Sequence, residues 1–150
     1  MGDIVSVDRL VDAVLERETG HLPQNKRNSA IGDRKLTNKA YGIGQVRKLA
    51  LDDIRERYPK KYKNIRPQDF LGNESLSREA VKDYLNLIAT KYLGDKEITT
   101  DNIEDVLYSY NAGPFKRGGK KTSKGGLSYA EDVASRYGIA TLTDMLLLGA

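Results

Sequence analysis

Two glutamates stand two positions apart in the stretch VLERETGHL, residues 14–22. Apolar residues recur at helical spacing around this point and define one face of a helix: Val7, Leu10, Val11, Val14 and Leu15. With about 100° of rotation per residue, Glu18 falls about 20° from Val11 on that face, whereas Glu16 falls about 140° away. We therefore expect Glu16 to be solvated and Glu18 to point inward.

An inward position would suit Glu18 for acid–base chemistry. Burial on an apolar face disfavours the charged carboxylate, and the negative end of the helix dipole acts in the same direction at the last turn. A carboxyl group that keeps its proton near neutral pH can serve as a general acid. The alternative is that Glu18 only borders the apolar stripe and pairs with a lysine.

Two further segments carry side chains suited to binding a sugar. In AYGIGQV, residues 40–46, small residues let the backbone approach a ligand closely, and Gln45 offers both a donor and an acceptor. In YSYNAGP, residues 108–114, the Tyr110 ring and the Asn111 amide adjoin at a helix end. The alternative for this second segment is packing plus a helix cap.

The elements that must position these residues are predicted to be helices in a single domain. The first covers about residues 5–19 and ends at Gly20. Apolar stripes place others within 42–59, 75–93, 101–113 and 128–138, with a short last helix from about Thr141. Pro67 suits the first turn of a short helical piece at 67–71. Val46, Leu49, Ala50 and Ile54 form the stripe of the second helix.

Local signals suggest where the later helices begin and end. Asp101 with Glu104, and Ser128 with Glu131, have the spacing of capping boxes. Gly113–Pro114 and Gly138 are predicted stops.

Two segments are predicted to be loops. Residues 20–41 form a long connection in which small β-hairpins can form. Residues 113–126 hold five basic residues and five glycines without an acid, which predicts a mobile cationic loop. The fold class expected is therefore mainly α, with a small hairpin region in residues 20–41.

Composition narrows the classes of function. The 150 residues contain no cysteine and one histidine, which excludes disulfides and argues against a zinc cluster or a serine triad, so we expect no metal and no cofactor. The net charge of +4 favours an anionic partner such as a cell wall, a nucleic acid or a lipid surface.

Taken in order, ETG, AYGIGQV, YSYNAGP and SYAEDV resemble the catalytic domain of the soluble lytic transglycosylase family. That family has the motifs E-S-G, G-L-M-Q and A-Y-N-A-G, followed by a late helix that bears a tyrosine. The resemblance covers about residues 7–137, and YNAG is its most specific element. It implies a lysozyme-like helical fold and, as substrate, the glycan strands of peptidoglycan.

The resemblance also implies roles for individual residues. Glu18 takes the place of the single catalytic acid and base, which cleaves the β-1,4 bond after N-acetylmuramic acid and leaves a 1,6-anhydro end. The family uses no second carboxylate, because the acetamide of the substrate assists. Gln45, Tyr110 and Asn111 match positions that line the cleft, and Tyr129 matches the late tyrosine.

The segment between Glu18 and Gln45 departs from the family pattern. It holds 26 residues, several more than usual, and the N-P-x-A-x-S run is replaced. AIGD followed by NKAYG is more similar to some phage and invertebrate-type lysozymes, in which an aspartate near this point serves hydrolysis. Asp33 could then orient a water molecule and make the protein a muramidase, or it could simply be a turn residue.

A third hypothesis is a non-catalytic basic module that binds wall polymer or nucleic acid through residues 113–126. Nucleic-acid binding is not expected, since Phe115 is the only aromatic residue there. We expect a monomer that is made in the cytoplasm without a signal peptide and acts on peptidoglycan without stable membrane insertion. It would reach the wall within a phage particle, beside other virion proteins, or by another export route.

Overall fold

The computed structural model describes residues 2–35, 37–115 and 118–138. Through these residues the chain is mainly helical and carries a small antiparallel sheet, which confirms the expected class. The chain divides into two compact units, which we name unit 1, residues 1–13 with 85–150, and unit 2, residues 14–84.

Unit 2 is built around the end of the first helix. Its helical elements are α1 (Val7–Thr19, beginning in unit 1), α2 (Gln24–Arg27), α3 (Lys48–Arg57), α4 (Pro59–Tyr62), a 3₁₀ turn at Pro67–Phe70 and α5 (Glu74–Leu87, ending in unit 1). Its core includes Val14, Leu15, Ile43, Leu51, Ile54 and Phe70, all buried. The predicted end of the first helix at Gly20 is confirmed, and so is the short helical piece that begins at Pro67.

The sheet of unit 2 has three short strands: β1 (Ile31–Gly32), β2 (Ala40–Tyr41) and β3 (Val46–Arg47). Ile31 pairs with Tyr41, and Tyr41 pairs with Val46 on its other side. The hairpin expected in residues 20–41 is therefore present as β1 and β2. The prediction that Val46 belongs to the second helix was wrong, because pairing with Tyr41 holds it extended and α3 begins only at Lys48.

The buried face of α3 also differs from the predicted stripe. Leu49 is 66% exposed, whereas Leu51 and Ile54 are fully buried. The expected stripe counted helical spacing from Val46. Because Val46 lies in a strand, helical spacing cannot be counted from it. The buried face of α3 is instead set by the core against which the helix packs.

Hydrogen bonds between polar side chains join α4 to α5 inside unit 2. The hydroxyl of Tyr62, whose side chain is fully buried, donates to Oδ2 of Asp83 at 2.6 Å. The Lys61 ammonium donates to the same oxygen at 2.8 Å and to Oε2 of Glu79 at 2.6 Å. Burial, with Asp83 alongside, raises the pKa of Tyr62, and the hydrogen bond to Asp83 raises the pKa of Lys61. Because a buried polar group needs a partner, these contacts specify how α4 packs on α5.

Unit 1 holds the remaining described helices. After α5 the chain forms a π-helical turn at Ile88–Tyr92 and then α6 (Ile103–Ala112) and α7 (Lys124–Tyr137). An isolated bridge pairs Ile4 with Thr99. The core of the unit is formed mainly by Leu10, Leu85, Ile88, Ile98, Leu107, Tyr129 and Val133, all of which are buried.

Helix α6 does not begin with the capping box that the sequence predicted. The N-cap of α6 is Asn102, not Asp101, and its side chain does not cap the helix. Its Oδ1 instead accepts from the backbone of Thr99, and its amide nitrogen donates to Asp95 and to the carbonyl of Glu97. The predicted box of Asp101 with Glu104 was therefore wrong, because Asn102 organises the preceding turn.

The start of α7 is also corrected, whereas the predicted stops are confirmed. Ser123 is the N-cap and accepts from the backbone of Gly126 at 2.9 Å, so Ser128 lies inside the helix and forms no box with Glu131. Gly113 and Gly138 end α6 and α7 with positive φ angles of 100° and 111°. Glycine reaches this conformation without steric cost.

The basic segment 113–126 is in part well anchored. Its last three residues form the first turn of α7, and the backbone of Ser123 donates to the Tyr108 hydroxyl at 3.0 Å. The Lys121 ammonium pairs with Asp105 and lies 5.6 Å from the centroid of the Phe115 ring. The expectation of a mobile loop was thus wrong for residues 121–126. The predicted helix from Thr141 lies outside the described residues.

Candidate functional site

The last turn of α1 carries Glu18 in unit 2. The stripe behind it packs as expected, with Leu10, Val11, Val14 and Leu15 buried. Glu16 has 55% of its side chain exposed and pairs with Arg27 at 3.4 Å, whereas Glu18 is half-buried. As predicted, Glu16 is the more exposed of the two glutamates and Glu18 is the more enclosed.

Thr19, the residue after Glu18, connects three segments. Its side chain is buried, and its hydroxyl lies 2.8 Å from the carbonyl oxygen of Ile43 and 3.3 Å from that of Leu15. The same hydroxyl accepts from Nε of Arg27 at 3.2 Å. Thr19 thus joins the end of α1 to the turn that carries Gln45 and to the end of α2.

Arg27 completes this network from α2. Its Nη2 donates to the carbonyl of Leu15 at 3.1 Å, while its Nε bonds to Thr19. A backbone carbonyl can accept a second hydrogen bond beside its helical one, and a cation near the end of a helix interacts favourably with the helix dipole. Arg27 therefore stabilises the turn that carries Glu18.

The turn of residues 42–45 lies next to this network in unit 2. Gly42 has φ +80°, and a Cβ on it would approach the Phe70 carbonyl oxygen to 2.7 Å. A Cβ on Gly44 would approach Cγ2 of Val81 to 2.8 Å. The small residues do permit close backbone approach, as expected, but the groups approached here belong to the protein itself.

Gln45 has a positive φ of 50°, which is uncommon outside glycine. Its amide nitrogen donates to the carbonyls of Ala30 at 3.2 Å and Gly42 at 2.9 Å. Both amide hydrogens are thereby used on backbone carbonyls of the protein, so any contact between the Gln45 side chain and a ligand falls to the amide oxygen. Backbone strain of this kind persists only where surrounding contacts hold it.

Asp33, the proposed second carboxylate, follows β1 with φ +54°. It is exposed, and its side chain pairs with Arg47 of β3, which also donates to the carbonyl of Asn38. This ion pair connects the two outer strands and gives Asp33 a structural role as a turn residue. The left-handed conformation is one that aspartate tolerates better than most residues.

The other candidate residues lie in unit 1. The rings of Tyr110 and Tyr129 are stacked with centroids 6.1 Å apart and an interplanar angle of 11°. Tyr129 is 1% exposed, so it supports the Tyr110 ring from the core and does not itself offer an open surface. Tyr110 is half-buried and Asn111 is exposed at the end of α6. The aromatic ring and the adjacent amide expected here thus lie together at one helix terminus.

Close packing between α6 and α7 supports that terminus. Gly126 is buried, and a Cβ on it would lie 2.7 Å from Cβ of Ala112 and 2.9 Å from Cε2 of Tyr108. The Tyr108 ring meets Phe115 edge-on at 5.1 Å between centroids. This contact fixes the last turn of α6, which bears Tyr110 and Asn111.

The structure therefore groups the predicted residues in two sets. Glu18 and Gln45 belong to unit 2, where Thr19 bonds directly to the turn of residues 42–45, while Tyr110, Tyr129 and Asn111 belong to unit 1. Sequence reasoning missed Thr19 and Arg27. A threonine in the last helical turn and an arginine eight residues later are common features, and only their buried contacts distinguish them.

Within residues 2–35, 37–115 and 118–138, no three histidine, aspartate or glutamate side chains are grouped so that they could bind a metal ion. In the same ranges, every helix is too short or too polar to cross a bilayer. Comparison with protein-family models, curated proteins and solved structures found no match to this chain.

Proposed function

We propose that this protein cleaves the glycan strands of peptidoglycan as a lytic transglycosylase of lysozyme-like fold, with Glu18 as its acid and base. The observation that carries the proposal is the setting of Glu18. It is half-buried in the last turn of α1, beside a buried threonine that bonds to the glycine-rich turn preceding Gln45. The order of ETG, YGIGQV and YNAG along the chain adds the resemblance to the family.

The reaction would proceed in two steps. Glu18 donates its proton to the glycosidic oxygen as the bond from C1 of N-acetylmuramic acid breaks, and the acetamide oxygen of that sugar closes onto C1. The Glu18 carboxylate then takes the proton of the 6-hydroxyl, whose oxygen attacks C1 and displaces the acetamide. The product is a 1,6-anhydro end, and Glu18 recovers its proton.

The residues of unit 1 are proposed to bind the sugar chain. The half-buried ring of Tyr110, backed by the stacked Tyr129, offers a flat apolar surface to a sugar face. The exposed amide of Asn111 offers a donor and an acceptor beside it. We expect Tyr110→Ala to raise KM for glycan strands more than it lowers kcat, since binding of this kind is made before the transition state.

The central test replaces Glu18 by Gln, with Glu16→Gln as the matched control on the same helix. Purified peptidoglycan is digested, and products are measured by mass spectrometry before and after borohydride reduction. Anhydro ends are one water lighter than hydrolysed ends and resist reduction. We expect anhydro products from the wild type and Glu16→Gln and about 10²-fold or greater loss of turnover in Glu18→Gln, because no acid remains.

The products also separate the rival functions. Reducing ends that disappear in Asp33→Asn would favour the muramidase. If the wild type binds the wall but does not cleave it, the result would favour the basic binding module. Full turnover in folded Glu18→Gln would refute the assignment of Glu18.

A further inference from the structure

We propose that Arg27 and Thr19 are positioning residues for the Glu18 carboxyl, with Arg27 holding the last turn of α1 in the geometry that catalysis needs. This inference rests on the proposed function and adds a residue from α2 to its machinery. The observation behind it is a guanidinium that bonds at once to the backbone and to a side chain of the turn that bears Glu18.

The last turn of a helix is its least restrained part. Its carbonyls lack partners within the helix, and helix ends therefore fray. Here Nη2 of Arg27 donates to the Leu15 carbonyl at 3.1 Å, before Glu18, and Nε donates to the Thr19 hydroxyl at 3.2 Å, after it. The residues on both sides of Glu18 in the turn are thus tied down, which restricts the direction of its Cα–Cβ bond.

Thr19 transmits this restraint to the rest of unit 2. Its hydroxyl has one proton, which is directed best to the Ile43 carbonyl at 2.8 Å, and its oxygen accepts from Arg27 at 3.2 Å. The hydroxyl is therefore used as donor and acceptor, and a methyl group in its place could do neither. Serine would keep both bonds.

Arg27 is itself held firmly enough to act as a support. Only 13% of its side chain is exposed, and it closes α2, which is followed by a hydrogen bond from the backbone of Gly72 to the Asn28 carbonyl at 2.8 Å. Its Nη2 also pairs with Glu16 at 3.4 Å. Two different nitrogens of one planar group make the two main contacts, which a lysine ammonium cannot reproduce.

The expected consequence concerns turnover more than binding. A displacement of about 1 Å in a catalytic group can cost about 10²-fold in rate. We therefore expect Arg27→Gln and Thr19→Val to lower kcat by about 10- to 100-fold on solubilised glycan strands, with KM changed by less than about threefold. Thr19→Ser should restore wild-type kcat.

Arg55→Gln is the matched control. The Arg55 guanidinium also bonds to backbone carbonyls in unit 2, those of Tyr62 and Ile65, and to Asp52, but it supports the segment after α3. Its loss should lower the melting temperature as much as the loss of Arg27 does. It should leave kcat unchanged when all variants are assayed well below their melting temperatures.

Glu18→Gln is measured in the same series, so the two possible failures can be distinguished. If Glu18→Gln loses activity while Arg27→Gln keeps wild-type kcat, the positioning role is refuted and the proposed function stands. Equal losses of kcat in Arg27→Gln and Arg55→Gln would also refute it, since the effect would then be one of general stability. Undiminished activity in Glu18→Gln would refute the proposed function and this inference with it. Should Thr19→Val fail to fold, the comparison of Arg27→Gln, Arg27→Lys and Arg55→Gln decides, with Arg27→Lys expected to remain impaired.

Discussion

Tyr62→Phe should weaken the protein at neutral pH and should also change how it responds to alkali. The substitution keeps the buried ring and removes only the hydroxyl that donates to Asp83 at 2.6 Å. A hydrogen bond to a charged acceptor contributes about 1.5–3 kcal/mol. Because Lys61 still donates to the same carboxylate oxygen, we expect the lower part of that range, about 1.5–2 kcal/mol.

The alkaline response follows from the raised pKa of Tyr62. Burial and the neighbouring Asp83 keep this hydroxyl protonated in the folded protein, whereas in the unfolded chain a tyrosine loses its proton near pH 10. A group whose pKa is higher in the folded state gives stability that is complete below the unfolded pKa and declines above it. At pH 11 this hydroxyl alone should favour unfolding by about 1.4 kcal/mol.

Phenylalanine has no such proton, so the disadvantage of Tyr62→Phe should shrink from about 1.5–2 kcal/mol near pH 8 to about 0.1–0.6 kcal/mol near pH 11. Lys61, whose pKa is raised by the hydrogen bond to Asp83, destabilises both proteins in alkali and largely cancels in the difference. Urea unfolding followed by far-UV circular dichroism measures the free energy at each pH. Tyr58→Phe, at a half-exposed ring nearby, should follow the wild type throughout. Parallel pH curves for wild type and Tyr62→Phe would refute the reasoning.

Three other outcomes are expected. Ser123→Ala should cost about 1 kcal/mol through loss of the α7 cap, whereas Ser128→Ala, inside the helix, should cost less than about 0.5 kcal/mol; equal urea midpoints would contradict the cap at Ser123. Gly126→Ala should lower stability by about 1–3 kcal/mol, since its Cβ would lie 2.7 Å from that of Ala112, and a melting temperature equal to the wild type would show that the helices separate without strain. Asp33→Asn should leave the anhydro products of the proposed reaction unchanged, because its carboxylate is paired with Arg47; loss of cleavage in this folded variant would mean that Asp33 takes part.

The sequence predicted those features that depend on a residue's own conformation or on its neighbours in the same helix. The apolar spacing before Glu18 predicted the buried face of α1, because side chains separated by three or four positions share one side of any helix. Gly113 and Gly138 predicted the ends of α6 and α7, since few other residues adopt a positive φ. Pro67 predicted a helical turn for the same kind of reason, its φ being restricted by its own ring.

The tertiary structure decided the features that depend on contacts outside a residue's own helix. Val46 is a strand residue because Tyr41 pairs with it, and Ser123, whose backbone donates to the Tyr108 hydroxyl of α6, caps α7 in place of the predicted Ser128. The support around Glu18 comes from Thr19, Ile43 and Arg27, whose hydrogen bonds form only when α2 and the glycine-rich turn pack on the end of α1. Periodicity predicts the side of a helix on which a residue lies. The contacts that hold that residue are made by other segments of the chain, and they exist only in the folded protein.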